Sequence, residues 1–423
     1  IHGMFPESQN TIEVNDGGRI ITKNVSIGTL SYNGVTIQKK YDVEINNLPE
    51  EKYPNNPELY FFNAGWFKGA KSAVSKNGYI RYLNTIEGYF SRIYIDNSKI
   101  LFLNTSQGGD LNAGSYGLLG NRIIRYPTYS HHDVIKINEN YIYLSYSTWG
   151  DQDRLVEINS SGIQLKELSF GKLIQNALDL KKYSQDEAVF KQVVFGEDVN
   201  NIYTVNGNQK YIDWLHANSL VYDSSTDILY VSSRQRAVLA IDYSEWELIW
   251  WMADDTISTK VPDQIPYNLH FKDLKSLDAY RVKGDAVNDG PKNQHALFLL
   301  ANGNLGMFDN QGDENTNPNG SRYVEYKVTG SYGNYIAQKI YEYRDSSLYS
   351  QIMSDVDFTG ENYQNILLLY SYPTARIVEV EKNTKKELFK LYLPFDTHRI
   401  DKMPLYYDEG RVYSEDYNLK NHN

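Results

Sequence analysis

The sequence predicts an all-β chain that folds as a six-bladed β-propeller, preceded by a small N-terminal β-element. Strand-like runs bounded by Asn, Asp, Gly and Ser recur along most of the 423 residues, and long helical periodicity is scarce. The 37 tyrosines suit half-buried strands and aromatic pockets. Four-stranded units repeat between residues 58 and 410. At about 55–60 residues per unit, this stretch accommodates six blades.

Composition narrows the classes of function. The net charge is −11 and no basic cluster stands out, so nucleic acid is not an expected partner. No apolar run of about 18 residues exists, so we expect no membrane insertion. There are no cysteines, which removes disulfides, thiolate nucleophiles and Cys-ligated metals. The opening residues lack a signal-peptide pattern, so we expect any secretion signal to be absent from this sequence.

A domain boundary is predicted near residue 55. Residues 1–55 hold short strand candidates, and residues 48–57 contain three prolines among polar side chains. We therefore expect an N-terminal β-element at 1–55, a propeller at 56–412 and a C-terminal tail at 413–423. Residues 173–180 and 185–194 are predicted to form short helices inserted between blades.

Three histidines stand at equivalent places in the repeat. His132, His216 and His295 each lie at the start of a strand that is followed by a tight turn and a second strand. A further unit opens at Asp355. The innermost strand of every blade lines the axis of a propeller, so side chains at the same end of these strands should meet there. The sequence therefore predicts that the three histidines form one cluster in the axial channel.

Three patches resemble the arylsulfate sulfotransferase family, propeller enzymes that need no nucleotide sulfate donor. They are His131-His132-Asp133, then Trp214 to Ser219 with Ser232-Ser233-Arg234, and Gln294-His295 through Ser321-Arg322. The stretch Met403–Tyr406 is similar to the closing segment of the family. The likeness covers residues 60–407.

This resemblance implies sulfuryl transfer from an aryl sulfate ester to a phenol, through a sulfohistidine and without a cofactor. By position, His216, His295 and Arg322 match the catalytic residues of the family. We assign His132, Arg234 and Arg376 to the channel or to substrate binding. The family works outside the cytoplasm, so we expect an extracytoplasmic location, and the N-terminal element could support a homodimer.

The sequence departs from the family pattern in two places. Gln294-His295-Ala296-Leu297 stands where the family has Gln-His-Asp-Ala. The nucleophilic histidine of the family lies near the strand that corresponds to 376–380, yet no histidine occurs between His295 and His398. The alternative hypothesis is therefore a catalytically impaired homologue that binds a small anionic or aromatic ligand in the channel.

Apart from the family resemblance, the residue types present are suited to sulfuryl transfer. Sulfuryl transfer needs a nucleophile, an acid for the leaving oxygen and donors for the sulfonate. Imidazole can fill the first two roles, and Arg322 can offer paired donors.

Some of these histidines and arginines could instead have only a structural role. His131 is expected to be structural and His398 to lie at the surface, while Arg322 and Arg234 could brace carbonyls between blades. The histidines lack zinc-site spacing, and residues 309–315 read as a solvated loop rather than a calcium loop, so we predict no metal site.

Overall fold

The computed structural model confirms the predicted fold class. It describes residues 3–32, 35–65, 70–85, 89–96, 99–105, 113–128, 130–145, 154–194, 204–205, 208–209, 214–257, 270–312, 319–360 and 362–407. Within these ranges six sheets of four or five strands follow one another along the chain. The predicted tail at 413–423 and residues 313–315 of the solvated loop lie outside the described ranges.

The N-terminal element consists of two hairpins and one strand that joins the propeller. Its strands are β1 (Ser8–Asp16), β2 (Arg19–Ile27), β3 (Leu30–Tyr32), β4 (Val35–Ile37) and β5 (Asp42–Asn46). β1 pairs with β2 and β3 with β4, whereas β5 is the outermost strand of a blade. The boundary near residue 55 stays a prediction.

The remaining elements follow in chain order. The first half contains β6 (Glu58–Ala64), β7 (Ala70–Val74), β8 (Ile80–Asn84), β9 (Tyr89–Asp96), β10 (Lys99–Thr105), β11 (Gly114–Gly117), β12 (Arg122–Arg125), β13 (His131–Ile137), β14 (Asn140–Ser145), β15 (Arg154–Ile158), β16 (Gln164–Ser169), α1 (Phe170–Ala177), α2 (Asp186–Val194), β17 (Thr204–Val205) and β18 (Asn208–Gln209). The second half contains β19 (Ala217–Asp223), β20 (Ile228–Ser233), β21 (Val238–Asp242), β22 (Glu247–Met252), 3₁₀-helices at Phe271–Asp273 and Lys275–Tyr280, β23 (Val282–Gly284), α3 (Ala286–Asp289), β24 (His295–Leu299), β25 (Leu305–Asp309), β26 (Arg322–Thr329), β27 (Tyr335–Arg344), β28 (Asp355–Thr359), β29 (Asn365–Tyr370), β30 (Ala375–Glu381), β31 (Lys386–Leu393) and β32 (Ile400–Pro404).

The blades are numbered from the first complete one. Blade 1 is β9–β12, blade 2 β13–β16, blade 3 β19–β22, blade 4 β24–β27 with β23, blade 5 β28–β31 with β5, and blade 6 β6–β8 with β32. In blade 6 the C-terminal strand β32 pairs with β6 from the start of the propeller. This pairing closes the ring and removes two open sheet edges.

Buried apolar side chains fill the space between neighbouring blades. Among the described residues, one hydrophobic cluster lies at each of the six junctions, including the one between blades 6 and 1. This placement follows from the alternation of the strands, because each central strand buries both of its faces against a neighbouring blade. The innermost strands β9, β13, β19, β24, β28 and β32 are left to line the axis.

The two predicted helices are confirmed, with α1 beginning earlier, at Phe170. α1 buries Phe170, Leu173 and Ile174 in the junction between blades 2 and 3. The buried carboxylate of Asp186 accepts hydrogen bonds from the backbone N–H groups of Lys275 and Ser276, which joins this insertion to the 3₁₀ segment. In the described part of the chain, no helix has the length and apolar character needed to cross a membrane.

Candidate active site

Four histidines meet at one end of the axis, where the innermost strands begin. The ring of His132 lies 4.8 Å from that of His216 and 5.7 Å from that of His398, centroid to centroid. His295 is close enough to His216 and His398 for their charges to interact. His132, His295 and His398 are buried, whereas His216 is half-buried. The predicted cluster of three histidines is therefore present, with His398 as a fourth member.

The backbone takes the same unusual form at three of these strand starts. His132, His216 and Ala296 have positive φ angles of 52°, 53° and 51°. In each case the pairing with the second strand is interrupted by a bulge at or just after this residue. Left-handed backbone at residues with a side chain costs about 1–3 kcal/mol and is concentrated at functional sites. The strain supports a functional reading of this end of the axis.

Polar residues that are close to His216 and His295 in the sequence connect blades 3 and 4. The amide of Asn218 donates to the backbone oxygen of Gln294 at 2.8 Å, and the Gln294 amide donates to the backbone oxygen of Ser233 at 2.9 Å. The hydroxyl of Ser219 accepts from the backbone N–H of Leu297 at 2.7 Å. These bonds fix the strand that carries His216 against the strand that carries His295.

The tautomer of His295 follows from its neighbour Asn310. The Asn310 amide nitrogen donates to the backbone oxygens of Ser350 and Met353 at 2.8 and 3.2 Å. Its oxygen must then face His295 Nδ1, which lies 2.8 Å away. Nδ1 is therefore the protonated nitrogen, and Nε2 keeps the lone pair.

A second imidazole pair supports His132. His131 Nδ1 and His132 Nδ1 lie 2.8 Å apart, so one ring donates to the other. This contact is consistent with the structural role that we expect for His131.

Burial and mutual repulsion keep three of the imidazoles neutral at neutral pH. Desolvation lowers the pKa of His132 well below its ordinary value, and the neighbouring histidines lower it further. The pKa of His295 is lowered by burial and then by the charge of Arg234. The pKa of His398 is lowered by burial and then by Arg399. A neutral imidazole carries a free lone pair, as a nucleophile or base requires.

Two buried arginines give this end of the axis its positive charge. The backbone N–H of Arg234 donates to the oxygen of His216 at 3.0 Å, and Asn293 donates to the oxygen of Arg234 at 3.0 Å. Arg399 donates to Asp355 at 3.1 Å and to the backbone oxygen of Asn218 at 3.0 Å. Arg234 thus lies in the predicted channel site, and Arg399 was not foreseen.

The match to known families agrees with this geometry. The family model described as Arylsulfotransferase (ASST) matches residues 46–406, which is most of the chain. The chain belongs to the arylsulfotransferase family.

One curated relative shows the likeness over a shorter stretch. The arylsulfate sulfotransferase AssT of Escherichia coli O6:H1 is 27% identical over 167 residues. The match covers 35% of this chain and 26% of that relative, so the activity of the whole relative is carried over only as a proposal.

The chain also has a low similarity to two solved structures. The β-propeller domain of Cps50 (Swd1) from Myceliophteria thermophila has 11% identity and a TM-score of 0.38, over 93% of this chain and 89% of that chain. BamB from Moraxella catarrhalis has 9% identity and a TM-score of 0.30, over 78% and 73%. The fold assignment rests on the strand pairing of this chain and not on these similarities.

The structure of this arylsulfotransferase family member does not bring Arg322 to the histidines. Arg322 is buried on the third strand of blade 4, where its charge is balanced by three carboxylates. Its N–H groups donate to Asp309, Asp289, Glu342, the backbone of Asp289 and Gly290, and the Tyr326 hydroxyl. All five guanidinium N–H groups are therefore used within the protein, by acceptors of blade 4 and of residues 289–290 rather than by carbonyls of a neighbouring blade.

Arg376 is also remote from the cluster. It lies on the third strand of blade 5, paired with Glu44 at 3.1 Å and stacked over the ring of Tyr392 at 4.1 Å. This position joins the N-terminal strand β5 to blade 5. The predicted channel role has no support from this geometry.

The expected surface position of His398 is wrong. His398 is 3% exposed and packs against His132. It lies two residues before β32, the innermost strand of blade 6, and the other histidines likewise lie at or next to the start of their innermost strands. His132, His216 and His295 were selected because each stands at the start of an innermost strand. The same criterion would have selected His398 if β32 had been recognised as an innermost strand.

Among the residues with described positions, no group of three His, Asp or Glu side chains has a metal-binding arrangement.

Proposed function

We propose that this protein transfers a sulfuryl group from an aryl sulfate ester to a phenolic acceptor at the histidine end of its axial channel. The observation that carries the proposal is the cluster of four histidines beside Arg234 and Arg399, with at least three rings neutral at neutral pH. Membership of the arylsulfotransferase family supports the same reaction class.

His398 is the nucleophile in this proposal. It is buried beside His132, its pKa is lowered, and it enters the cluster from the closing strand. Its ring nitrogen attacks sulfur while the S–O bond to the aryl group breaks, which forms a sulfohistidine and a phenoxide. The phenol acceptor then attacks the same sulfur, and the N–S bond breaks. The histidine that the sequence lacks near Arg376 is thus replaced by one from a different strand.

The other side chains have complementary roles. His295 keeps its lone pair on Nε2 and can accept the proton of the acceptor phenol. Arg234 supplies positive charge for the sulfonate oxygens. In the described structure the Nε–H of buried Arg399 has no acceptor, so it is available as a further donor. His132 and half-buried His216 complete the wall of the site.

The proposal is tested by mixing the protein with p-nitrophenyl sulfate and a panel of phenols. We expect phenol-dependent release of nitrophenol and a labelled sulfohistidine when ³⁵S donor is used without acceptor. His398→Asn should abolish the label and lower kcat/KM by about 10³-fold or more. His131→Asn is the matched control, and we expect it to keep the label. A His398→Asn protein that still accumulates label would refute this assignment.

The alternative is a binding propeller that holds a small anionic or aromatic ligand without turnover. It is motivated by the missing histidine near Arg376, and the burial of His398 among the other histidines weighs against it. Binding of aryl sulfate by calorimetry, with no release of phenol for any acceptor, would favour this alternative.

We also propose a cellular location and an oligomeric state. An extracytoplasmic location follows from the family resemblance, and cell fractionation tests it. A homodimer through the N-terminal element is supported by the exposed apolar side chains of Ile12, Val14, Ile20 and Ile21 on β1 and β2. Analytical ultracentrifugation of the protein and of an Ile20→Lys variant tests the dimer.

A further inference from the structure

A cleft of about 510 Å³ lies at the outer edges of blades 3 and 4. Its walls come from two insertions in the blade repeat, at 176–183 and at the 3₁₀ segment Lys275–Tyr280, and from the β26–β27 hairpin tip at 330–334. Ligand sites typically have volumes of about 300–1,000 Å³. β26 runs in the same direction as β24, since both pair antiparallel with β25, so this tip lies at the end of blade 4 opposite to His295. The cleft is therefore distinct from the proposed active site.

Hydrogen bonds hold the three walls of the cleft together. The backbone N–H of Gly333 donates to the oxygen of Ala279 at 2.8 Å, which joins the hairpin tip to the 3₁₀ segment. The backbone N–H of Asp179 donates to the hydroxyl of Ser276 at 2.9 Å, and this hydroxyl donates to the buried carboxylate of Asp186 at 2.7 Å. The cleft is thus formed before any ligand binds, so binding does not require these elements to become ordered.

Tyr332 presents an aromatic ring in the cleft. Its side chain is 62% exposed, although it is large and partly apolar. The rings of Tyr332 and Tyr280 are in edge-to-face contact, with centroids 5.0 Å apart and an angle of 81° between the planes. This contact orients Tyr332 while most of its surface stays open to solvent. An exposed ring that is held in this way can stack on the flat surface of a ligand ring.

Three lysines give the cleft an affinity for anions. Lys182, Lys275 and Lys283 line it and are exposed, and within the described residues none of them forms an ion pair with a carboxylate. Lys182 is close enough to Tyr332 for their charges to interact. The lining contains only two carboxylates, those of Asp179 and Asp278, so cations are in excess here although the chain has a net charge of −11. A ligand with a negative charge is therefore favoured.

The polar lining favours a saccharide over an aryl ring. Asn176, Asp179 and Asp278 contribute polar side chains beside the lysines. An aryl ring has few groups that these side chains could bind, and ligands of that kind are best held by enclosed apolar pockets. A sugar ring can stack its C–H surface on a tyrosine while its hydroxyl groups bond to polar side chains and to water. The cleft thus suits a saccharide, and its lysines select one that carries a negative charge.

We propose that this cleft binds a saccharide that carries an anionic group, with a sugar ring stacked on Tyr332 and the anionic group held by Lys182, Lys275 and Lys283. Lysine ammonium groups accept a uronate carboxylate or a sulfate ester, so the test includes one probe of each kind. Because the cleft and the histidines lie at opposite ends of blade 4, a bound saccharide leaves the histidine end accessible. The inference goes beyond the proposed function and does not depend on it.

The experiment is calorimetric titration of the protein with three probes. These are trigalacturonate, a sulfated carrageenan tetrasaccharide without uronate, and neutral maltotriose. We expect at least one anionic probe to bind with a Kd of about 1 mM or less, and maltotriose to bind at least about tenfold more weakly. Tyr332→Ala should weaken binding of the anionic probe by about tenfold or more, because it removes the stacking surface.

A variant with Lys275→Ala and Lys283→Ala should weaken binding by about fivefold or more and make it less sensitive to salt. Tyr406→Ala, which removes an exposed tyrosine outside the cleft, is the matched control and should leave binding unchanged. Tyr332 is exposed, so we expect Tyr332→Ala to fold and to keep kcat/KM for aryl sulfates.

Three results would overturn the inference: no binding of either anionic probe, unchanged binding by Tyr332→Ala, or equally tight binding of maltotriose. None of them bears on the proposed function, which is tested by turnover of aryl sulfates. The two failures are therefore distinguishable.

Discussion

Replacing Arg322 with Met tests whether this side chain has a structural or a catalytic role. The guanidinium is 1% exposed and holds Asp309, Asp289 and Glu342 together in blade 4. Methionine fills a similar volume but provides no charge or donor. The change therefore leaves Asp309, which is fully buried, without its cation.

The expected cost follows from that uncompensated carboxylate. Removing one partner of a buried ion pair destabilises by about 3–5 kcal/mol. Asp309 keeps its hydrogen bonds from the backbone N–H groups of Lys292 and Gln311, which limits the loss to this range. For 423 residues at about 2.1 cal/mol/K each, the entropy of unfolding is about 0.9 kcal/mol/K. If the propeller unfolds as one unit, Tm should fall by about 3–6 °C.

The assay combines thermal unfolding with transfer kinetics at 25 °C, where the variant remains folded. We expect the fall in Tm together with a kcat/KM within about tenfold of the unmodified value, because no N–H of Arg322 is available to a sulfonate. Arg376→Met is the matched control. Its Arg–Glu44 pair is partly exposed, so the expected loss of stability is about 1 kcal/mol or less.

The opposite pattern would refute this reasoning. If Arg322→Met lowered kcat/KM by more than about 100-fold while Tm stayed within about 1 °C, then Arg322 would contact the transferred group, as the family resemblance implied.

Three further outcomes follow from the site. Asn310→Ala removes the acceptor that orients His295, so kcat/KM should fall by about 10-fold to 100-fold, together with a loss of stability of about 1–3 kcal/mol because the backbone oxygens of Ser350 and Met353 lose a donor; an unchanged pH–rate profile would contradict this role. Asn218→Ala leaves the buried oxygen of Gln294 with a weaker bond from Ser232, so urea unfolding should show a loss of about 1–3 kcal/mol, and a loss below about 0.5 kcal/mol would count against it. Acidification from pH 7 to pH 5.5 should reduce the free energy of unfolding. The lowered pKa values of His132, His295 and His398 contribute stability that is present above about pH 6.5 and is lost as the pH falls. Asp401, whose pKa is raised well above its ordinary value by burial, offsets part of this loss. His398→Asn should make this pH dependence shallower, and an equal slope in both proteins would contradict the burial of His398.

The ring and the position of three histidines could be predicted from local sequence features. Alternating strands and their turn residues depend on contacts within a few residues, so the blades were visible along the chain. A histidine at the start of three innermost strands then implied a meeting point on the axis. The two inserted helices were visible for the same reason, because the apolar face of α1 repeats with helical spacing.

The roles of the arginines and of His398 could not be obtained in this way. Arg322 and Arg376 lie on third strands, and their carboxylate partners come from other strands or, for Glu44, from the N-terminal element. His398 lies two residues before β32, which is the last strand of the described residues but the innermost strand of blade 6, because the ring closes between the two ends of the propeller.

By itself, therefore, the sequence determined the strand content, the ring and the repeated histidine at the strand starts. Only the tertiary structure decided which charges face the axis. Burial, pKa and ion pairing depend on distances between strands that are far apart in the chain. His132 and His398 are far apart in the chain and become neighbours only when β32 pairs with β6 and completes the ring.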